Sequence, residues 1–151
     1  MHIIIWNANG AVNELISLTA GEFEDGAWHH VVWTYDGTAG TNGLKLYIDG
    51  SLDTQMTASS TGIRNFTGTW SDITVGDNSQ QAGGWAFGGN VDEVGLWDGV
   101  VLSPTDVTNI YNAGSPITLS DYSPDSWYQM GDGATWDGSN WSMPNKANPG
   151  S

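Results

Sequence analysis

The first third of the chain is cut into short apolar runs by Asn-Gly and Asp-Gly dipeptides. Asn9-Gly10, Asp25-Gly26, Asp36-Gly37 and Asp49-Gly50 punctuate "HIIIW", "ELISLT", "AWHHVVWTY" and "LKLYID". Such a dipeptide accepts positive φ at both central positions of a two-residue hairpin turn, so the chain reverses wherever one stands between strand-like runs. The runs are rich in β-branched and aromatic residues, which fit a pleated surface. With 21 glycines in 151 residues, well above the usual share, the chain suits many short strands joined by tight turns. The expected class is all-β.

Alternation refines this. Residues 2 to 6 and 14 to 19 can pair antiparallel. In "LKLYID", Leu44, Leu46 and Ile48 share one face and Lys45, Tyr47 and Asp49 the other, which marks a half-buried strand. In "AWHHVVWTY", by contrast, both faces are mostly apolar, as for a central strand covered on both sides. "SLDTQMT" can return from Asp49-Gly50, and "DITVG" and "VDEVGLWDG" read as further strands. One helix signal stands out. In "SPTDVTNIYNAG", Ser103 as N-cap, Pro104 at the first helical position and Asp106 form a capping box, and Gly114 can end the helix. Val107, Ile110 and Tyr111 then fall on one side, against a sheet.

The tail from 115 differs in texture. It holds four of the five prolines and three of the nine tryptophans, and only "SWYQM" reads as a strand. The expected division is therefore a sandwich over 1 to 114 and, over 115 to 151, a linker, a strand and an irregular acidic loop.

Charge and composition exclude several roles. Three Lys or Arg face 17 Asp or Glu, so phosphate-bearing partners meet a repelling field, and nucleic acid is not an expected partner. No run approaches the roughly 20 apolar residues of a spanning helix, so no membrane insertion is expected. There is no cysteine, which removes disulfides, Cys-based zinc sites and a Cys nucleophile together. The start "MHIIIWNANGAV" lacks a basic segment and a cleavage signal, so it does not read as a secretory leader. Either the chain leaves the cell by another route or it is part of something longer.

The ordered blocks "DGAWHHVVWTYDGT", "LKLYIDG", "ITVGDN" and "FGGNVDEVGLWDGVVLSPTDVTNIYNAG" resemble the laminin-G-like group of the concanavalin A-like lectin and glucanase superfamily. The resemblance implies a jelly-roll β-sandwich of two antiparallel sheets with one short helix. It also implies framework roles for Trp28, His30, Asp92 and Glu93. His30 would sit between the sheets, bonded to backbone or carboxylate, with Trp28 beside it and His29 facing the other way. Asp92 and Glu93 would tie a strand to an adjacent turn. Members usually carry several strands before the point at which this chain begins. Its tail "DSWYQMGDGATWDGSNW" resembles the opening of a further domain of the kind found in tandem in tailed-phage structural proteins. Residues 124 to 130 would then either start another repeat or fold back beside 91 to 98. Missing edge strands could also come from a second copy, so a homo-oligomer is expected.

No catalytic residues are expected. Glucanases of this superfamily need clustered carboxylates on one strand face, and a retaining pair stands about 5 Å apart. Glu22 and Glu24 lie in a turn, and alternation puts Asp92 and Glu93 on opposite faces. A histidine zinc site would need His2, on another strand, beside His29 and His30. Calcium, the usual cofactor that the resemblance implies, could use Asp132, Asp137 and Asn140, but their spacing is not that of an EF-hand and no metal site is assigned. The candidate ligand site is the loop after "ITVG", where Asp77, Asn78, Gln80, Trp85 and Asn90 crowd together with Trp70 just before them. An aromatic platform beside Asp and Asn on a loop is the equipment of a sugar site. The expected function is a non-catalytic recognition or attachment module on a virion surface, with other virion or surface proteins and glycans as partners. The alternative is a carbohydrate-binding lectin module of a secreted or cell-surface protein.

Overall fold

The structure is a computed structural model that describes residues 2–6, 12–16, 25–37, 43–54, 57–60, 75–76 and 87–147. Their regular structure is mostly strand, in antiparallel sheets, with one α-helix among them. They belong to two compact units, Met1–Gly68 with Gly99–Thr118, and Thr69–Asp98 with Leu119–Ser151. The segment 69–98 thus groups with residues 119–151.

Six strands lie in the first unit: β1 (His2–Trp6), β2 (Val12–Ile16), β3 (Val31–Tyr35), β4 (Leu44–Ile48), β5 (Ser51–Leu52) and β6 (Thr57–Ser60). They form two sheets, ordered β1-β2-β6 and β3-β4-β5. β1 and β2 pair from His2 opposite Ile16 to Trp6 opposite Val12. The expected return of "SLDTQMT" along β4 stops after Leu52, and residues 57–60 pair with β2 instead.

The β4–β5 turn is set by its dipeptide. Asp49 and Gly50 both take positive φ, 49° and 76°, so that Ile48 faces Ser51 across a two-residue turn. β4, in the middle of its sheet, is the core strand. Leu44, Leu46 and Tyr47 are at most 3% exposed, so it is buried on both faces rather than the one that alternation suggested. β3 differs from expectation in the opposite sense. It borders the sheet on the side away from β5, begins only at Val31, and leaves Trp33 46% exposed.

The helix α1 (Pro104–Tyr111) begins as its sequence dictates. The Ser103 hydroxyl accepts the Asp106 N–H at 3.1 Å, and the Asp106 carboxylate accepts the Ser103 N–H at 2.9 Å. The Ser103 hydroxyl, which donates to the Asp106 carboxylate at 2.6 Å, and then the Ser103 N–H hold that carboxyl below the usual carboxylate range. Val107 and Ile110 are buried with Leu102. The α-helix ends at Tyr111, where Asn112 takes the left-handed cap, and a 3-10 turn continues to Gly114. Tyr111 lies over the β4–β5 turn, so close that a Cβ on Gly50 would stand 2.9 Å from its ring. The Thr108 hydroxyl reaches the Gly50 carbonyl at 3.1 Å.

The second unit holds β7 (Val94–Leu96), β8 (Ser126–Tyr128), β9 (Thr135–Trp136) and β10 (Trp141–Ser142). β7 and β8 pair antiparallel, Gly95 opposite Trp127, so the tail strand folds back beside the segment after Asp92. On its other side β8 is held by the chain beyond: the Trp127 carbonyl accepts the Lys146 N–H at 2.7 Å and the Asn145 side chain accepts the Trp127 N–H at 2.9 Å. Leu119 and Trp127 are buried here. Residues 135 to 142, expected as irregular loop, form a hairpin of two-residue strands.

Candidate functional site

Of the loop residues singled out in the sequence, Trp70, Asp77, Asn78, Gln80 and Trp85 lie outside the described residues, and Asn90 is exposed. The base of that loop is described. The Phe87 N–H donates to the Gly76 carbonyl at 2.6 Å, which ties together the two ends of the segment carrying Asp77, Asn78, Gln80 and Trp85. Val75 and Phe87 stand beside this closure, each more than half exposed.

Asp92 and Glu93 are engaged with the tail strand. One Asp92 oxygen accepts the N–H groups of Glu93 and Met130, both at 2.8 Å. Glu93 takes a positive φ of 53°, which delays the expected strand until Val94 and breaks the alternation assumed for "VDEV". Its two carboxylate oxygens then accept from the Trp127 indole at 2.6 Å and the Gln129 amide at 2.9 Å. A carboxylate with both oxygens held by donors is an anchor for the strand pair, with its lone pairs already directed.

The histidines divide their roles in a way the sequence did not foretell. It is the ring of His29 that carboxylates hold, with Nδ1 2.9 Å from Asp49 and Nε2 3.2 Å from Asp25. These two partners, Asp49 foremost, raise its pKa above the ordinary imidazole value of 6.5. Asp25 also accepts the Ala27 N–H, the main cause of its lowered pKa. His30 was expected between the sheets, bonded to backbone or carboxylate; among the described residues its bonds to Asp49 run through its backbone. Its N–H donates to Asp49 and its carbonyl accepts the Asp49 N–H, both at 2.9 Å. The His30 ring stacks on Tyr111 with centroids 5.8 Å apart, and its buried Nδ1 has no hydrogen-bond partner among the described residues. Burial lowers its pKa. Trp28, expected beside it in the core, is 68% exposed. The ring that packs against His30 is Tyr111 of α1 instead.

The aromatic pair that sequence reasoning passed over lies on the β9–β10 hairpin. Trp136 and Trp141 face each other across the ladder with ring centroids 5.4 Å apart and planes at 46°. Asp137 shapes the turn between them by accepting the N–H groups of Ser139 and Asn140, both at 2.7 Å, which lowers its pKa. A groove of about 390 Å³ beside the hairpin is lined by Gly131, Ala134, Trp141 and Met143. The available signal was the spacing in "WDGSNW", where two tryptophans flank a four-residue turn. Of Asp132, Asp137 and Asn140, the residues weighed for calcium, Asp137 gives one oxygen to the turn. Among the described residues no group of three His, Asp or Glu could hold a metal ion.

The fixed features of the first unit are a carboxylate-bridged His-His segment, an Asp-Gly hairpin and a capped helix. They fall inside residues 1–108, or run just past them, and these residues match the laminin G type of family profile described as the concanavalin A-like lectin/glucanases superfamily. The chain belongs to this superfamily. Its β8, β9 and β10 lie beyond the matched residues of the superfamily profile. Among curated proteins, the chain is similar to the rat (Rattus norvegicus) protein named Sushi, von Willebrand factor type A, EGF and pentraxin domain-containing protein 1, with 30% identity over 115 residues. The similar segment is 74% of this chain and 3% of the rat protein, so the chain spans a small part of that relative's length. No solved structure matches the chain.

Proposed function

We infer that this superfamily member is a non-catalytic recognition or attachment module displayed on a surface, built as a jelly roll of two antiparallel sheets. The observation that carries this reading is the set of large aromatics held in water by short strands and turns. Trp28, Trp33, Phe87, Trp136 and Trp141 are 46% to 68% exposed. Exposed indoles are adaptable contact surfaces that lose little side-chain freedom on binding. The carboxylates of Asp92, Glu93 and Asp49, by contrast, spend their oxygens on main-chain and indole donors.

The setting we favour is extracellular. The rat relative's name joins a similar segment to EGF domains, which belong to oxidising, secreted surroundings. A virion surface is the second reading, and it rests on the resemblance of the tail to tandem phage repeats. In both settings the ligand class is glycan, and the loop of Trp70, Asp77, Asn78, Gln80, Trp85 and Asn90 is the proposed contact. The test is binding of wild type and Trp85→Ala to immobilised glycans, with melting temperature as a folding control. The expected result is loss of binding at an unchanged melting temperature. Equal binding by a variant that melts like the parent removes this loop as the site. Co-purification with capsid or tail protein and no glycan signal would turn the assignment to a structural virion component.

A further inference from the structure

We propose that the β9–β10 hairpin and its groove form a second binding platform, one that stacks the apolar face of a neutral pyranose oligosaccharide on Trp136 and Trp141. The proposal rests on the recognition reading above but not on the loop of Trp85. Two-residue strands bury little, yet this hairpin carries two indoles, 52% and 66% exposed, with Met143 40% exposed next to them. A contiguous apolar surface of this kind on a small unit marks a contact site. The groove beside Trp141, at about 390 Å³, lies within the range of small-ligand pockets, about 300 to 1,000 Å³.

Three observations choose the occupant. Residues 119 to 142 contain Asp121, Asp125, Asp132 and Asp137 and no Lys or Arg, so sulfated, phosphorylated or carboxylated ligands are repelled. The groove lining is Gly131, Ala134, Trp141 and Met143, with no charged side chain to pair a cation inside it. Donors and acceptors are both exposed in this stretch: Trp136 and Trp141 carry indole N–H groups, and Asp132, exposed as well, follows Gly131 in the chain. Hydroxyl groups satisfy both kinds of partner, while the ring C–H face of a sugar covers the indoles. A proline-rich peptide lacks the N–H at each proline and so offers the exposed Asp132 fewer donors than a sugar does.

The full chain, labelled with nitrogen-15, gives one indole N–H signal per tryptophan, and titration with neutral hexasaccharides of glucose, mannose and N-acetylglucosamine reads each platform separately. The Trp136 and Trp141 signals are assigned from Trp136→Phe and Trp141→Phe. At least one hexasaccharide is expected to shift those two signals saturably, and Trp141→Ala to weaken that binding by about tenfold or more. The Trp127 indole, bonded to Glu93, reports that the unit remains folded in the variant. Shifts at Trp85 alone would overturn this platform and leave the loop reading standing. Shifts at Trp136 and Trp141 alone would support it at the expense of the loop. No shift at any indole would overturn both, and a response only to a proline-rich peptide or to a sulfated hexasaccharide would overturn the neutral-sugar assignment.

Discussion

At the scale of single residues, His29 and His30 are chain neighbours with opposed electrostatics. Carboxylates on both sides raise the pKa of His29 above 6.5, so its contribution to stability is complete below that value and is lost as pH rises through the raised folded pKa. Burial lowers the pKa of His30, so its neutral form favours the fold above 6.5 and stability is lost as pH falls through the depressed value. In a proton NMR titration of the three imidazoles, His29 is expected to have its midpoint above 6.5 and His30 below, and the His29 signal is identified by its absence from His29→Gln. Coincident midpoints for His29 and His30 at 6.5 would contradict the geometry. The pairing "HH" was legible as a strand-end feature. Which ring met carboxylates was not, because Asp49 reaches it through a hairpin some twenty residues on, and Tyr111 reaches His30 from a helix later still.

The elements that were legible are those whose signals are local. The Ser103 to Asp106 capping box and the Asp49-Gly50 turn each specify a geometry within four residues, and both occur as written. Pairings across sequence were partly hidden: the polar "TASS" gives no sign that it borders β2. Nor does "VDEV" announce the left-handed Glu93 that sends its carboxylate to Trp127. The β4–β5 turn allows a controlled test. Gly26 and Gly50 have nearly equal φ, 78° and 76°, but a Cβ at Gly26 meets nothing within 4 Å while one at Gly50 meets Tyr111 at 2.9 Å. Both alanine substitutions carry the backbone strain, about 1 kcal/mol or more. Gly50→Ala is expected to lower the urea midpoint further than Gly26→Ala, by the cost of displacing Tyr111. Equal midpoints would mean that α1 is not seated on the turn.

At the scale of the whole molecule, open strand edges are where a second copy of the chain is expected to pair. β8 supplies one partner, to β7. If neighbouring copies supply others, light scattering of the purified chain gives a stable trimer or larger ring, in calcium and in chelator alike. A monomer at all concentrations would remove the expectation of a homo-oligomer. The candidate loop of Trp85 lies outside the described residues, and the pairing of Trp136 with Trp141 was not foreseen. The tryptophans that meet across β9 and β10 do so through a turn whose geometry rests on a single Asp137 carboxylate.

The two units are interleaved along the chain, which enters the second at Thr69, leaves it at Gly99 and re-enters at Leu119. Inheritance of such a module is constrained by this order. A fragment cut where the family match ends, at residue 108, would sever α1 before Ile110 and Tyr111 and strip Glu93 of both its donors. Recombination that carried only the recognisable family segment into another gene would therefore deliver an incomplete piece. The smallest stretch that can travel between genes with β7 intact runs on past Gln129, and past Lys146 if β8 is to keep its second neighbour.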